Sequence, residues 1–148
     1  MYSLLLMNLL PLKLNNSSAP LRIPLFSSSI KAGFPSPAAD YIEKTLDFNE
    51  YLVKRPAATF CFRVSGDSMI NAGIYNDDIL VVDRSLQARN NDIVIAVLDN
   101  ELTVKRLVTS GSRPLLVPEN DKYEPIPIAD LASFEVWGVV TFVIHKAV

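Results

Sequence analysis

A mostly-β domain built on a curved sheet, with one short helix and an extended N-terminal arm, is the fold this 148-residue sequence predicts. Three observations carry that expectation. β-Branched and aliphatic runs recur between turn clusters at residues 59–64, 79–82, 93–98, 102–107, 115–117 and 136–144, without the sustained 3.6-residue periodicity of helices. Asp99-Asn100 separates two of these runs by two residues, the spacing of a tight hairpin. Upstream, Asn15-Asn16-Ser17-Ser18-Ala19-Pro20 and Ser27-Ser28-Ser29 are small and polar with no periodic apolar face.

Taken in order, residues 1–38 read as the arm and residues 39–148 as the β-rich domain. The first dozen residues are apolar enough to resemble the core of a signal peptide. No Lys or Arg precedes them, no small-x-small pattern follows closely, and the run is too short to span a bilayer, so a loosely packed arm is expected, with Met7 a candidate start. Pro35 and Pro37 keep the chain around Ala32-Gly33 extended, because each restrains its own φ and the residue before it. Residues 41–46 alternate as a strand does. Asp47, with Glu50 three positions on, offers a capping box for a short helix ending before Pro56. No internal repeat is visible.

Composition bounds the function. The chain is long enough for one modest core and an arm. A formal charge of −2 gives no basic footprint for direct or sequence-specific DNA binding, so any work on DNA goes through a partner. Cys61 is the single cysteine and His145 the single histidine, so neither an internal disulfide nor a metal cluster is expected. No cofactor is expected either. A reducing cytoplasm, without membrane attachment, fits this chemistry best.

Ser68 stands in the run Val64-Ser65-Gly66-Asp67-Ser68-Met69, upstream of Lys105 in Glu101-Leu102-Thr103-Val104-Lys105-Arg106-Leu107. A serine hydroxyl is a poor nucleophile until a base takes its proton, and a lysine can be that base only when its amine is neutral. A free lysine titrates near about pH 10.4, which leaves about one amine in a few thousand neutral at pH 7. Desolvation must therefore bring it down, and Leu102, Val104 and Leu107 supply an apolar setting. Taken alone, Gly-Asp-Ser is also ordinary turn chemistry, and a lysine in an alternating strand is commonly a solvated outer-face residue. The run 59–64 leading into the turn favours the nucleophile, since it sets Ser68 just past a strand end.

Several further segments extend this pattern: Ala32-Gly33-Phe34-Pro35-Ser36-Pro37-Ala38-Ala39-Asp40-Tyr41, Asp92-Ile93-Val94-Ile95-Ala96 and Trp137-Gly138-Val139-Val140. In this order, from about residue 23 to about residue 143, the chain resembles the self-cleaving SOS-response proteins, the LexA-type repressors and the UmuD-like mutagenesis proteins. The resemblance implies a LexA/signal-peptidase-like catalytic domain and a serine endopeptidase acting on its own chain. Ser68 would be the nucleophile, Lys105 the general base, Ala32-Gly33 the bond cut, and the backbone amides of Asp67 and Ser68 the oxyanion donors. It also implies a homodimer, stimulation by a RecA-single-stranded DNA filament, and a Y-family translesion polymerase catalytic subunit as partner. The binding-module reading, a non-catalytic dimeric polymerase-binding or SOS regulatory protein, belongs to the same resemblance. The repressors carry a helix-turn-helix domain that the residues before the match are too few to form, and signal peptidases need a membrane anchor.

The remaining candidates are weaker. His145 has no second ligand or serine motif near it and reads as a strand-end histidine. Asp67 reads as a turn aspartate satisfying local amides, and Asp77, Asp78 and Asp83 as turn or strand-end polar groups.

Overall fold

The computed structural model describes Leu12–Lys13, Pro20, Arg22–Phe26 and residues 29–33 and 42–148. In chain order the strands are β1 (Leu12–Lys13), β2 (Arg22–Phe26), β3 (Ile42–Asp47), β4 (Thr59–Arg63), β5 (Ile79–Asp83), β6 (Ile93–Leu98), β7 (Glu101–Val108), β8 (Leu115–Val117), β9 (Ile126–Pro127) and β10 (Phe134–Ile144). They fall into two compact units, one within Asn15–Lys54 and the other within Met1–Leu14 together with Arg55–Val148.

The smaller unit is the antiparallel pair β2 and β3 followed by the five-residue helix α1 (Phe48–Leu52). Asp47 caps α1 from its expected position, but its side chain accepts the Asn49 amide at 3.0 Å, and the reciprocal Glu50 half of a capping box is not formed. Residues 22–26, part of the stretch read as arm, thus form a strand. Its partner lies some twenty residues away and Pro24 interrupts its alternation, so no local pattern announces it.

The larger unit is one antiparallel sheet of eight strands in the order β1-β4-β5-β10-β6-β7-β8-β9. Six of its strands lie where the sequence puts them, to within a residue or two at most ends, whereas β1 falls in the stretch read as arm and β9 has no counterpart among the expected runs. Asp99 and Asn100 join β6 to β7 with φ of 49° and 66°, the left-handed pair that a two-residue hairpin demands and that Asp and Asn tolerate. The unbroken apolar run of β6 also has a structural cause. Ile95 and Val97 pack with Leu80, Val82 and Trp137, while Val94 and Ala96 pack with Leu107, Leu116 and Val139, so both faces of this central strand are buried. At about 1.5–3 kcal/mol for each large apolar side chain removed from water, these two clusters dominate the stabilisation.

β10 spans the middle of the sheet and carries two bulges. Trp137 is the extra residue against β6, and Thr141 the extra residue against β5. Each bulge frees backbone groups that side chains then satisfy: Arg84 Nε donates to the Trp137 carbonyl at 3.0 Å, and Thr141 Oγ1 to the Val81 carbonyl at 3.2 Å. Phe60 and Phe62 meet Trp137 edge-on, with centroids 5.3 and 5.0 Å away.

Beside that bulge, a Cβ built on Gly138 would come 2.6 Å from Cγ1 of Val82, a fully buried side chain. Gly138→Ala is therefore expected to destabilise the larger unit by about 1–3 kcal/mol through overpacking. Urea titration of the variant checks this, and an unchanged midpoint would show that Val82 yields freely.

Candidate active site

β4 ends at Arg63, and the chain then holds its course because Val64 exchanges backbone hydrogen bonds with the 77–78 turn: its amide donates to Asp78 at 2.8 Å and its carbonyl accepts from Asp77 at 2.9 Å. Gly66 turns the chain with φ of 97°, a conformation L side chains rarely adopt, and its amide donates to Asn76 Oδ1 at 2.9 Å. Met69, at 1 % exposure, anchors the next turn in the core. Ser68 is pinned between these two fixed points.

Lys105 reaches the same place from the middle of β7. Its Nζ lies 3.1 Å from Ser68 Oγ, 2.8 Å from Thr103 Oγ1 and 3.0 Å from the Val104 carbonyl. The side chain is buried in a cleft of about 360 Å³ whose apolar wall includes Phe62, Val64, Leu80, Ile95, Leu102 and Val104. That burial pushes the amine below the ordinary lysine range. A neutral amine has two N–H groups and one lone pair. With the N–H groups spent on Thr103 and Val104, the lone pair is left to accept the proton of Ser68, which is the geometry a hydroxyl needs to become a nucleophile.

Thr103 and three residues after β8 were not legible as parts of this site. Thr103 had a faint signal, since two positions along a strand return to the same side. Glu119 donates its amide to the Ser68 carbonyl at 2.8 Å, Asn120 Nδ2 donates to the Asp67 carbonyl at 2.9 Å, and Tyr123 Oη donates to the Asp67 carboxylate at 2.5 Å. The Asp67 side chain thus serves Tyr123 rather than local amides, and that hydrogen bond holds the Tyr123 hydroxyl above the usual phenol range. Among the described residues the amides of Asp67 and Ser68 have no protein acceptor.

A match to the Peptidase S24-like family model covers residues 24–141, which takes in the loop of Ser68 and all of β7. The chain belongs to this family. As an S24-like chain it is 50% identical to Protein ImpA of Escherichia coli over 123 residues, 83% of each chain. It is also 48% identical to Protein MucA of Escherichia coli over 120 residues, 80% of this chain and 82% of that one. With the LexA repressor of Caldicellulosiruptor saccharolyticus it shares 43% identity over 111 residues, 75% of this chain and 54% of the repressor.

The other residues singled out in the sequence lie as follows. Ala32 and Gly33 are exposed in a bend of the smaller unit, and a Cβ on Gly33 would meet nothing within 4 Å; residues 34–41 lie outside the described residues. His145 Nδ1 sits 2.6 Å from Asp78 Oδ1 at the end of β10, with its ring against Tyr75. Burial alone would raise Asp78, but the Tyr75 amide and His145 outweigh it and hold the carboxyl below the usual range. Asp83 is held down in the same way by Ser85 and Arg55 against the effect of its burial. Among the described residues no cluster of three or more His, Cys, Asp or Glu could hold a metal, and no helix is long and apolar enough to cross a membrane.

The buried amine makes a signed prediction about stability. With its folded pKa below the unfolded value of about 10.4, Lys105 binds its proton more readily in the unfolded chain. Wild-type stability therefore gains from this group as pH rises from the folded pKa to the unfolded one, and the burial penalty is fully present below that window. Lys105→Met removes the penalty, so its stability relative to wild type should be greatest near pH 7 and decline toward pH 10. Paired denaturant titrations across this range check it; a constant difference would mean the amine is not desolvated.

Proposed function

We propose that this S24-like chain is a UmuD-like protein of SOS mutagenesis that cuts its own Ala32-Gly33 bond with a Ser68-Lys105 dyad. The 3.1 Å approach of a desolvated Nζ to Ser68 Oγ carries the reading. Neutral Lys105 takes the Ser68 proton as Oγ attacks the Ala32 carbonyl carbon. The amides of Asp67 and Ser68 receive the oxyanion, and collapse expels the Gly33 amine, which takes the proton back from Lys105. Water, deprotonated by the same amine, then releases Ala32 from the acyl-enzyme and restores Ser68.

The structure has a bend at Ala32-Gly33 where the prolines had suggested extended chain, so docking in a protease cleft has to straighten it, and the glycine lets backbone come close to the nucleophile. In this reading a RecA-single-stranded DNA filament favours docking of the arm, and the cut chain persists as a homodimer. That dimer serves as regulatory subunit of a Y-family translesion polymerase in the cytoplasm. Loss of residues 1–32 removes Lys13, Arg22 and Lys31 and no acidic residue, which leaves the product more negative and directs it to protein partners rather than DNA. The binding-module reading describes the product; the Ser68-Lys105 geometry favours the peptidase reading for the intact chain.

Incubation with RecA, single-stranded DNA and a nucleotide, followed by intact-mass measurement, is expected to give residues 1–32 and 33–148. Ser68→Ala should abolish the nick while leaving the fold intact. Gly33→Glu should slow it severely with little effect on stability, since that position is open. Cutting of the Ser68→Ala variant at this bond would remove Ser68 from the mechanism.

Without RecA, nicking should accelerate as pH rises from 7 toward 10, because the lowered amine of Lys105 is the base and only its neutral form acts. Lys105→Arg should abolish the nick, since a guanidinium stays protonated, and His145→Ala should keep it. A profile that levels off above pH 7 and depends on His145 would overturn the assignment.

A further inference from the structure

The segment after β8 grips the nucleophile loop at sites separate from the contact of Ser68 with Lys105. Asn120 is buried, and its side-chain amide works at both ends: Nδ2 donates to the Asp67 carbonyl at 2.9 Å while Oδ1 accepts the Lys122 amide at 3.0 Å. Tyr123 Oη holds the carboxylate of the same aspartate at 2.5 Å. Glu119 grips the next peptide by its main chain, its amide on the Ser68 carbonyl and its carbonyl accepting Asn71, both at 2.8 Å. Its carboxylate pairs with Arg106, the residue after Lys105.

We propose that Asn120, aided by Tyr123, is a positioning residue for self-cleavage: holding the Asp67 carbonyl aims the Ser68 amide at the oxyanion. The inference rests on the reading of Ser68 as the nucleophile. In a trans peptide the carbonyl and the following N–H lie on opposite edges of one plane, so fixing the Asp67 oxygen fixes the direction of the Ser68 N–H. A hydrogen bond to that oxygen also polarises the peptide and strengthens the N–H as a donor. Asparagine suits the task because one end must donate while the other accepts. Aspartate, nearly the same shape, has no donor when ionised and would set an oxygen against the Asp67 carbonyl.

The test measures nicking rates of full-length wild type, Ser68→Ala, Asn120→Asp, Asn120→Ala and Tyr123→Phe from pH 7 to 10, with a melting temperature for each. Both Asn120 variants should lose about 10-fold or more in the high-pH rate, since a misdirected oxyanion donor costs up to about 10²–10³. Asn120→Ala should keep the wild-type pH midpoint, because that midpoint belongs to Lys105, whereas the new carboxylate of Asn120→Asp favours the ammonium and shifts it up. Tyr123→Phe, at an exposed ring, should show a smaller loss with the wild-type midpoint. Folded Asn120 variants that nick within about twofold of wild type, or a folded Asn120→Ala whose midpoint moves, overturn the proposal. If neither Asn120 variant folds, Tyr123→Phe decides, and an unchanged rate overturns it. Nicking by Ser68→Ala would instead bring down the nucleophile reading.

Discussion

A lysine amine kept out of water, within hydrogen-bond reach of a serine hydroxyl, is the constraint around which the rest of this structure is arranged. Burying an ammonium is costly, and the cost falls as the group becomes neutral. The cleft wall of Phe62, Val64, Leu80, Ile95, Leu102 and Val104 imposes that cost, and Thr103 and the Val104 carbonyl give the amine two acceptors. The protein thus gives up stability at neutral pH to hold Lys105 where it stands. Sites with specialised chemistry commonly carry such local expense.

A desolvated centre of this kind needs a rigid frame, and the sheet provides it. β6 is buried on both faces, pairs with β7 through the whole length that carries Lys105, and is flanked on its other side by β10. The bulges at Trp137 and Thr141 let one eleven-residue strand pair with both β5 and β6, and Arg84 and Thr141 satisfy the Trp137 and Val81 carbonyls there. Ser68 approaches from β4, on the far side of β5 and β10 from β7. The serine and the lysine are therefore brought together by the whole sheet order rather than by any local motif.

This explains which parts of the molecule could be read from the chain. The strands β4, β5, β6, β7, β8 and β10, the Asp99-Asn100 hairpin and the Asp47 cap follow from short-range patterns, and each lies close to its expected position. β9 is two residues long with a proline, and β2 depends on a distant partner, so neither has a periodic signature. At the site, Ser68 and Lys105 taken alone were ordinary turn and strand residues, and what singled them out was the run 59–64 leading into the turn together with the further segments that follow in order. Nothing singled out Asn120 and Tyr123. An asparagine after Glu119 in a turn-rich stretch is ordinary composition, and only the return of the chain after β8 brings it against Asp67. Hydrogen bonds to main-chain atoms leave no trace in the identity of the residue that receives them.

In the proposed reading the activity depends on two quantities. One is the fraction of Lys105 that is neutral, set within the cleft by desolvation; the other is the fraction of molecules whose Ala32-Gly33 bond is docked there. The observed rate scales with their product, so a poorly populated docked state lowers the rate however well the dyad is tuned. Raising the pH acts on the first factor. A partner that favours docking acts on the second and, because a docked arm covers the cleft and displaces water from around Lys105, lowers the amine further as well. A stimulator working through docking is then expected to raise the rate most where the neutral amine is scarce and to move the midpoint down. A rate multiplied equally at every pH would mean that the docked arm leaves the solvation of the amine as it was.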